Sequence, residues 1–431
     1  MVATVCRKRF KAIVLNGFAR SGRLKKDFEI LGEQMKKIAK LSLVAAVAVA
    51  GLTTANAQPL EEAIKNVDVS GSVVYRYNDY NNSLPSQANP TTPNTNNYKV
   101  ALNLSSKVNE DVKFNSRFIV GGADSGFATL DSSDTGDQNV DVTLSHAYFG
   151  YTGIANTTVN VGKQGLTTPW TVAIDSDGNE QTGTGILALS TVGPVTLAGA
   201  YFNQTNLDDS GEARTIFNQG ARASGDQDIA TVGAIVAAGP ATLDAWYIDA
   251  NDLFDSYTIG AKAAFDVEGI KLGADARWVS LDLDNNATDN TLAKIVLTAD
   301  AGLVDAKVAY ATTDKEGGTT ALDNDATTTL LGWTLTSNGK ADADYWQAVL
   351  GFDILSNLNL SANYGNVEWT PSANTTKEQE EIYAQLLYKM SKNLTTYVRY
   401  GTFTEETRTA GAPTTDDNDD TRGRLQVEYT F

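Results

Sequence analysis

The sequence is poor in cysteine and histidine, and these two scarcities exclude much of the chemistry that enzymes use. Cys6 and His146 are the single members of their kinds among 431 residues. Cys6 lies ahead of a predicted cleavage site, so the processed chain would hold no disulfide, thiolate nucleophile or cysteine-ligated zinc. The neighbours of His146 form no nucleophile elbow. We therefore expect no enzyme, with an acid protease built from the many carboxylates as the alternative left open.

Long apolar runs are also missing, since none approaches the roughly 18 residues that a membrane helix needs. The longest, residues 41–52, follows a basic segment that begins at Met35 and precedes the tripeptide Ala55-Asn56-Ala57. A basic, an apolar and a small-residue segment in this order are typical of a secretory signal peptide. We predict that residues 35–57 form this signal peptide, and we interpret residues 1–34 as a mis-annotated upstream extension.

Basic residues are outnumbered, with 34 Lys and Arg against 52 Asp and Glu and a net charge of −18. Removal of residues 1–57 would take away more basic than acidic residues and leave a still more acidic protein. Such a chain repels phosphate, so we expect no nucleic-acid partner. Only 9 prolines accompany 36 glycines and many threonines and asparagines, a composition that favours strands and turns over helices.

The pattern that is present is strict alternation of apolar and polar residues, and the last eleven residues show it best. One face would hold Gly423, Leu425, Val427, Tyr429 and Phe431, and the other Arg422, Arg424, Gln426, Glu428 and Thr430. An extended chain of this length spans a bilayer when it is tilted. Its polar face suits a wet lumen, although an edge strand of a soluble sandwich is the alternative. Tyr429 and Phe431 resemble the terminal aromatic signal that the outer-membrane assembly machinery reads.

The same rhythm recurs about eighteen times between residues 67 and 431, after a short periplasmic lead-in at 58–66. Tight turns alternate with long polar connections, which include residues 165–182, 314–343, 370–378 and 407–420. We assign residues 328–336 to a hairpin within the 314–343 connection. The pattern predicts an all-β fold, a transmembrane antiparallel β-barrel of about 18 strands with short periplasmic turns and long extracellular loops. It would be a multi-pass protein of the bacterial outer membrane.

Two stretches resemble the major outer membrane protein (porin) family of Campylobacter. The first is LSLVAAVAVAGLTTANAQPLEEAIKNVDVSGSVVYRY, from Leu41 to Tyr77. The second joins Val161-Gly162-Lys163-Gln164 to Trp170-Thr171, Ala173-Ile174-Asp175 and Gly183-Thr184-Gly185. This resemblance implies an eighteen-stranded, homotrimeric general diffusion porin that prefers cations. It also implies calcium in the lumen, for which Asp175 is the first candidate ligand and Asp208 or Asp209 the second.

In porins of this architecture the third long loop folds into the lumen, and here it would be residues 165–182. This loop carries Asp175, Asp177 and Glu180 and no basic residue, so it would attract cations and repel anions. Strand parity points five arginines inward, at Arg76, Arg117, Arg277, Arg399 and Arg424. An acidic loop that faces a basic wall would produce a transverse field at the constriction. Pairing of these arginines with loop acids near the rims is the alternative.

These features predict passive, cation-preferring passage of ions and small hydrophilic solutes through a water-filled barrel. A substrate-specific channel on the same barrel is one alternative, and a loop-mediated adhesin is another. Residues 314–343 would be the adhesive loop. The expected partners are a second and third copy of the chain, outer-membrane lipid, lipopolysaccharide, the assembly machinery and permeating cations.

Overall fold

The computed structural model describes residues 67–82, 94–122, 125–129, 140–206, 228–284 and 288–431. The lead-in, signal peptide and upstream extension predicted for residues 1–66 lie outside these ranges, as do Asp208 and Asp209. No helix within the described ranges is long and apolar enough to cross a membrane.

Nineteen strands form in the described part of the chain, eighteen of them long and one, β4, of two residues. They are β1 (Val67–Asn82), β2 (Thr95–Lys107), β3 (Val112–Gly121), β4 (Ala128–Thr129), β5 (Asp141–Tyr151), β6 (Thr157–Gly165), β7 (Thr182–Val192), β8 (Val195–Thr205), β9 (Ile229–Ala238), β10 (Ala241–Ala250), β11 (Phe254–Val267), β12 (Ile270–Leu283), β13 (Asp289–Asp300), β14 (Val304–Thr313), β15 (Asp344–Leu355), β16 (Leu358–Ser372), β17 (Thr375–Lys389), β18 (Leu394–Thr409) and β19 (Thr415–Thr430).

The long strands close into one antiparallel barrel. Each long strand pairs with the long strands before and after it in the chain, so that β3 pairs with β5. The short strand β4 adds only two residue pairs to β2. The seam joins β1 to β19, with a register from Ser72 opposite Thr430 to Asn82 opposite Asp420. Closure leaves no free edge, as a sheet in lipid requires. The predicted all-β barrel of about 18 strands is confirmed.

Side chains alternate between a lipid face and a lumen face along every long strand. On β19, Leu425 and Val427 point outward while Arg422, Arg424 and Gln426 point inward. The outward set is exposed and apolar on strand after strand, as a surface that contacts acyl chains must be. It includes Tyr75, Phe149, Val161, Leu197, Leu243, Ile259, Leu297, Val308, Leu350, Ile382, Val398 and Tyr400.

Several tight turns use backbone conformations that favour glycine. Between β11 and β12, Glu268 and Gly269 both have positive φ, at 54° and 86°. Two successive residues of this kind match the twist of a two-residue hairpin. Gly193 and Gly239 take similar values, 59° and 62°, at two further hairpins. The predicted rhythm of short turns and longer loops on opposite ends of the barrel is thus present.

The prediction that residues 370–378 and 407–420 form long loops is wrong. β16 continues to Ser372 and β17 restarts at Thr375, so only a short turn joins them. β19 begins at Thr415, which places the acidic run at 416–420 in a strand paired with β18. These hairpins project beyond the apolar band into water. Both faces of such a strand can be polar, so polarity alone cannot separate it from a loop.

The barrel interior contains a hydrophobic core, which two loops build against the inner wall. Residues 165–182 and residues 314–343 both turn inward and bury apolar side chains there. The buried cluster includes Leu166, Trp170, Phe202, Ile229, Ile248, Phe254, Val279, Leu281, Leu292, Leu322, Leu330, Leu335, Tyr345, Val367 and Phe403. We call residues 165–182 the third loop and residues 314–343 the inner loop. Lumen folding was predicted for the third loop and is confirmed, but it was not predicted for the inner loop.

Candidate functional site: the lumen constriction

The third loop crosses the lumen as a folded flap. Its backbone is braced internally, since Leu166 N donates to Gln181 O (3.0 Å) and Gln181 N donates to Ala173 O (2.9 Å). Trp170 is fully buried, and its Nε1 donates to Ser256 Oγ on β11 at 2.7 Å. At its other end the loop contacts β1, β2 and β3. The loop therefore divides the interior from one wall to the opposite one.

Glu180 anchors the third loop to the wall through a buried ionic cluster. Its Oε1 lies 2.6 Å from Lys99 Nζ and 2.9 Å from Arg117 Nη2. Its Oε2 accepts from Arg117 Nε and Ser145 Oγ, both at 2.9 Å. Burial by itself raises the pKa of Glu180, but the hydrogen bonds from Arg117 and Lys99 overcome it and lower that pKa below its usual value. Two wall cations thus neutralise this carboxylate.

Sequence reasoning missed two members of this cluster, Lys99 and Ser145. Lys99 Nζ also donates to Gly178 O at 2.5 Å, so it holds two points of the loop. The only signal for Lys99 was its inward parity, which it shares with Lys107 at the end of the same strand. Ser145 also lies 2.9 Å from His146 Nδ1, yet it is 1% exposed, so no substrate reaches its hydroxyl.

Asp177 and Asp175 differ from Glu180 in exposure and in partners. The Asp177 side chain is 76% exposed and lies 4.0 Å from Arg76 Nη1. Arg76 also donates to Ser176 O at 3.0 Å and stacks on Phe127, 4.3 Å from the ring centroid. Both Asp175 oxygens accept from Asn179, from its backbone N and its Nδ2, each at 2.8 Å. Burial raises the pKa of Asp175.

The inner loop packs against the third loop through backbone and carboxylate contacts. Leu322 N donates to Trp170 O (2.9 Å), and Ser176 N donates to Asp325 Oδ2 (2.9 Å). Gln181 Nε2 donates to Asp323 Oδ2. Burial raises the pKa of Asp323 to about 7. Asp323 and Asp325 therefore join the acids of the third loop near the middle of the lumen.

The inner loop is not the surface loop that the adhesin alternative assumed. Its predicted hairpin is present as a tight turn with a bridge between Leu331 and Thr336, but the turn points inward. Leu322 and Leu335 are fully buried. The apolar run at 328–336 was the sequence signal, because an extracellular loop has no reason to carry it.

Three inward arginines on β18 and β19 lie beside this turn, and aromatic rings cover them. Arg399 lies 4.9 Å from the Trp333 ring centroid, 5.1 Å from Tyr383 and 5.3 Å from Tyr397. Arg424 lies 5.9 Å from Trp333 and donates to Asn78 and Tyr80. Arg422, which sequence reasoning did not select, stacks on Phe403 at 3.9 Å and forms an ion pair with Asp420.

Arg277 occupies a different part of the wall from the other selected arginines. Its Nη2 lies 2.8 Å from Asp244 Oδ2, and both side chains are nearly buried. The structure thus brings Arg76 and Arg117 to the third loop and Arg399 and Arg424 to the inner loop, and pairs Arg277 with an acid of the wall.

The described residues do not by themselves form a calcium site. They include no group of three or more His, Cys, Asp and Glu side chains poised around one point. The oxygens of Asp175 are already engaged by Asn179, and the other candidate ligands, Asp208 and Asp209, lie outside the described ranges.

Two open cavities of about 420 Å³ and 370 Å³ lie along the lumen wall beside the third loop. His146 and Tyr148 line both, and Arg117 lines the smaller one. Polar side chains such as Asn160, Gln164, Asn103 and Asn115 supply the rest of the polar lining. The interior therefore contains open space with polar lining beside the third loop, as well as an apolar core.

The end of β19 reaches the start of β1. Phe431 exchanges two backbone hydrogen bonds with Gly71, at 2.9 Å and 3.1 Å. Tyr429 and Phe431 stack on each other with ring centroids 6.0 Å apart and remain exposed on the outer face. The two aromatics selected as an assembly signal therefore lie at the barrel seam.

A closed barrel of eighteen long strands, with an apolar outer band and a loop across a polar lumen, defines an outer-membrane channel of the porin class. The chain belongs to the Campylobacter major outer membrane protein family, whose model matches residues 35–431. This match confirms the family resemblance and the location in the outer membrane. Among the curated proteins, none matches this sequence.

Solved structures of similar fold include proteins of Acinetobacter baumannii and Pseudomonas aeruginosa. Acinetobacter baumannii OccAB3 superposes with a TM-score of 0.67 at 13% identity, covering 85% of this chain and 99% of that one. Pseudomonas aeruginosa OccK2 (OpdF) in complex with glucuronate gives 0.67 at 14%, covering 84% and 98%. Pseudomonas aeruginosa OpdK with vanillate gives 0.67 at 15%, covering 85% and 99%. At these identities the likeness establishes the fold alone.

Proposed function

We propose that this porin is a general diffusion channel that prefers cations, with the third loop as its constriction. The observation that supports the preference is the unequal treatment of charge along the lumen. The acid Asp177 is exposed, whereas Glu180 is neutralised by Lys99 and Arg117. The arginines of β18 and β19 lie under aromatic rings. A permeating ion would therefore meet the accessible carboxylate of Asp177 and covered guanidinium groups, which favours cations.

The test is planar-bilayer conductance of the protein without residues 1–57 under a KCl gradient. We expect large ohmic steps and a reversal potential on the cation side. Asp177→Asn should move that potential toward zero with little change in step size, because its side chain is exposed and contributes little to loop anchoring. A wild-type reversal potential on the anion side would sink the proposed preference.

A homotrimer is part of this proposal and rests on the family resemblance. Conductance steps that arrive in threes, together with a trimer mass in native mass spectrometry, are the expected results. A monomeric mass with single steps would contradict the trimer without affecting the channel. Lipopolysaccharide and the assembly machinery are proposed partners on the same basis.

The second candidate is a channel specific for small carboxylates. The inward row of Arg399, Arg422 and Arg424 favours it, since guanidinium groups bind carboxylates in pairs of hydrogen bonds. Two similar structures are complexes with glucuronate and with vanillate. Specific uptake would appear as saturable blockage of the ion current by one of these carboxylates. Current that is insensitive to both would favour general diffusion.

A further inference from the structure

We infer that Trp333 is a specificity-determining residue that screens the arginines of the lumen wall, and that Glu381 is the positioning residue that holds it there. The inference rests on the proposed cation-preferring function and names the side chains that maintain it. It concerns the tip of the inner loop, the turn between Leu331 and Thr336.

The wall at this point concentrates positive charge. Arg399 and Arg424 are direct cross-strand partners in the pairing of β18 with β19, and Arg422 lies opposite Gly401 two positions along the same face. Like charges directly opposite each other repel one another. Two opposed guanidinium groups also attract anions. Arg422 is paired with Asp420, but an uncovered pair of Arg399 and Arg424 in a wet lumen would favour anion passage.

Trp333 covers the two opposed arginines at once. Its ring centroid lies 4.9 Å from Arg399 Cζ and 5.9 Å from Arg424 Cζ, within the range of cation–π contact. Tyr383 meets the Trp333 ring edge-on at a centroid distance of 5.2 Å. The indole adds the negative face of a π-system and denies anions close approach to these guanidinium groups.

The position of Trp333 is set by a carboxylate that rises from the wall. Glu381 on β17 is 3% exposed, and its two oxygens accept from Trp333 N and Thr334 N, both at 2.8 Å. Backbone amides that converge on one carboxylate form a short anion-binding turn. Arg422 Nη1 adds a third tie, to Thr334 Oγ1 at 2.7 Å. The clamp fixes the backbone of Trp333 and so the direction of its ring.

Gly332 shows that the clamp is a close fit. A Cβ added at this position would lie 2.0 Å from Glu381 Oε1 and 2.7 Å from Tyr345 Oη. The turn therefore lies against the ends of the Glu381 and Tyr345 side chains, and a methyl group here would have to displace the carboxylate from the two amides that it holds. This fit is independent of the cation–π geometry and supports the same role for Glu381.

The experiment measures reversal potentials in a KCl gradient for wild type, Trp333→Ala and Trp333→Phe. Uncovering the arginines should lower the cation-to-anion permeability ratio about fivefold in Trp333→Ala, the order of one unit charge acting on an ion at contact distance in water. Trp333→Phe keeps a ring and should stay near wild type. Glu381→Gln, with Trp333 intact, should shift the ratio in the same direction.

Trp246→Ala is the matched control for lumen volume. Trp246 also lines the lumen, over Gly233, and no arginine stacks on it in the part of the chain that the structure describes. Its removal should raise conductance without moving the reversal potential. Adding Arg399→Gln and Arg424→Gln to Trp333→Ala should restore the wild-type ratio. Trp333→Leu, which preserves bulk without a π face, replaces Trp333→Ala if that variant does not fold.

An unchanged ratio in Trp333→Ala, or an equal shift in Trp246→Ala, would overturn the inference. Tighter blockage by benzoate in wild type than in Trp333→Ala would also overturn it, since Trp333 would then recruit anions. The wild-type reversal potential separately tests the proposed function. A wild-type channel without cation preference would refute that proposal, while the shift between wild type and variant would still decide the role of Trp333.

Discussion

Arg117 and Glu180 form a two-point ion pair between the barrel wall and the third loop, with Nε and Nη2 of the arginine each 2.9 Å from a carboxylate oxygen. The Glu180 side chain is fully buried. Planar groups that match in this way hold both position and orientation. The pair therefore fixes this end of the third loop to the wall, and Lys99 and Ser145 add to the same anchor.

Replacing Glu180 by glutamine should release the flap. Lys99 and Arg117 would lose their buried counter-ion, which costs about 3–5 kcal/mol when one partner of such a pair is removed. We expect a noisier open channel and a larger mean conductance in single-channel records. Asp177→Asn is the matched control, because it removes an acid of the same loop that is exposed. Equal noise in the two variants would contradict an anchoring role for Glu180.

Lowering the pH should first stabilise the contact between the third loop and the inner loop, and only at lower pH weaken the ion pairs of Glu180 with Lys99 and Arg117. Burial raises the pKa of Asp323 to about 7, so the folded junction takes up a proton that the unfolded chain does not, and it gains stability as the pH falls through about 7. The pKa of Glu180 is lowered from its usual value of 4.5. The ion pairs of Glu180 therefore stabilise the folded state above pH 4.5, and this stabilisation is lost only at lower pH.

Open-channel noise measured against pH checks this order. We expect noise to fall as the pH drops through about 7, and to rise again only at a pH below the ordinary glutamate value of 4.5. Asp323→Asn should remove the first change and keep the second. A step near neutrality that survives in Asp323→Asn would assign it to another group.

Gly332→Ala should disturb the inner loop although it adds a single methyl group. The new Cβ would push the ends of the Glu381 and Tyr345 side chains aside and displace the carboxylate from Trp333 N and Thr334 N, at a cost of about 1–3 kcal/mol. We expect lower thermal stability of the refolded barrel and a shifted reversal potential. Gly199→Ala is the control, because nothing lies within 4 Å of a Cβ there. Equal stability of the two variants would show that the turn adapts.

Calcium binding can be tested by calorimetric titration of the refolded protein. If Asp175 contributes a ligand, wild type should take up calcium and Asp175→Ala should take up less, and chelation should change the conductance of wild type alone. No uptake in wild type, or equal uptake in the variant, would remove Asp175 from consideration.

Strand number and strand facing could be read from the sequence because alternation with period two is a local property. The same alternation predicted that Arg76, Arg399 and Arg424 face the interior of the barrel, and their side chains lie there in the structure. Loop placement failed where polarity had two explanations. Residues 416–420 are acidic because they face water, and they do so as part of β19 rather than as a loop.

The contacts that define the constriction could not be read from the sequence, because they join distant segments. Glu381 lies 48 positions after Trp333, and no local pattern links a strand carboxylate to the amides of a loop turn. Lys99 is 81 positions from Glu180. The apolar run at 328–336 predicted a hairpin within an extracellular loop, and only the closed barrel shows that this hairpin lies in the lumen.

Pairing of β1 with β19 closes the barrel and should be a late step in folding. It joins side chains such as Arg76 and Gln426, which are 350 positions apart along the chain. Contacts of such separation form late, since the loop-closure entropy must be overcome first. Until then β1 and β19 both present unpaired backbone groups. The unclosed sheet can therefore pair with other chains at both edges. The fraction of chains that fold correctly should depend on how well these two edges are protected before they pair.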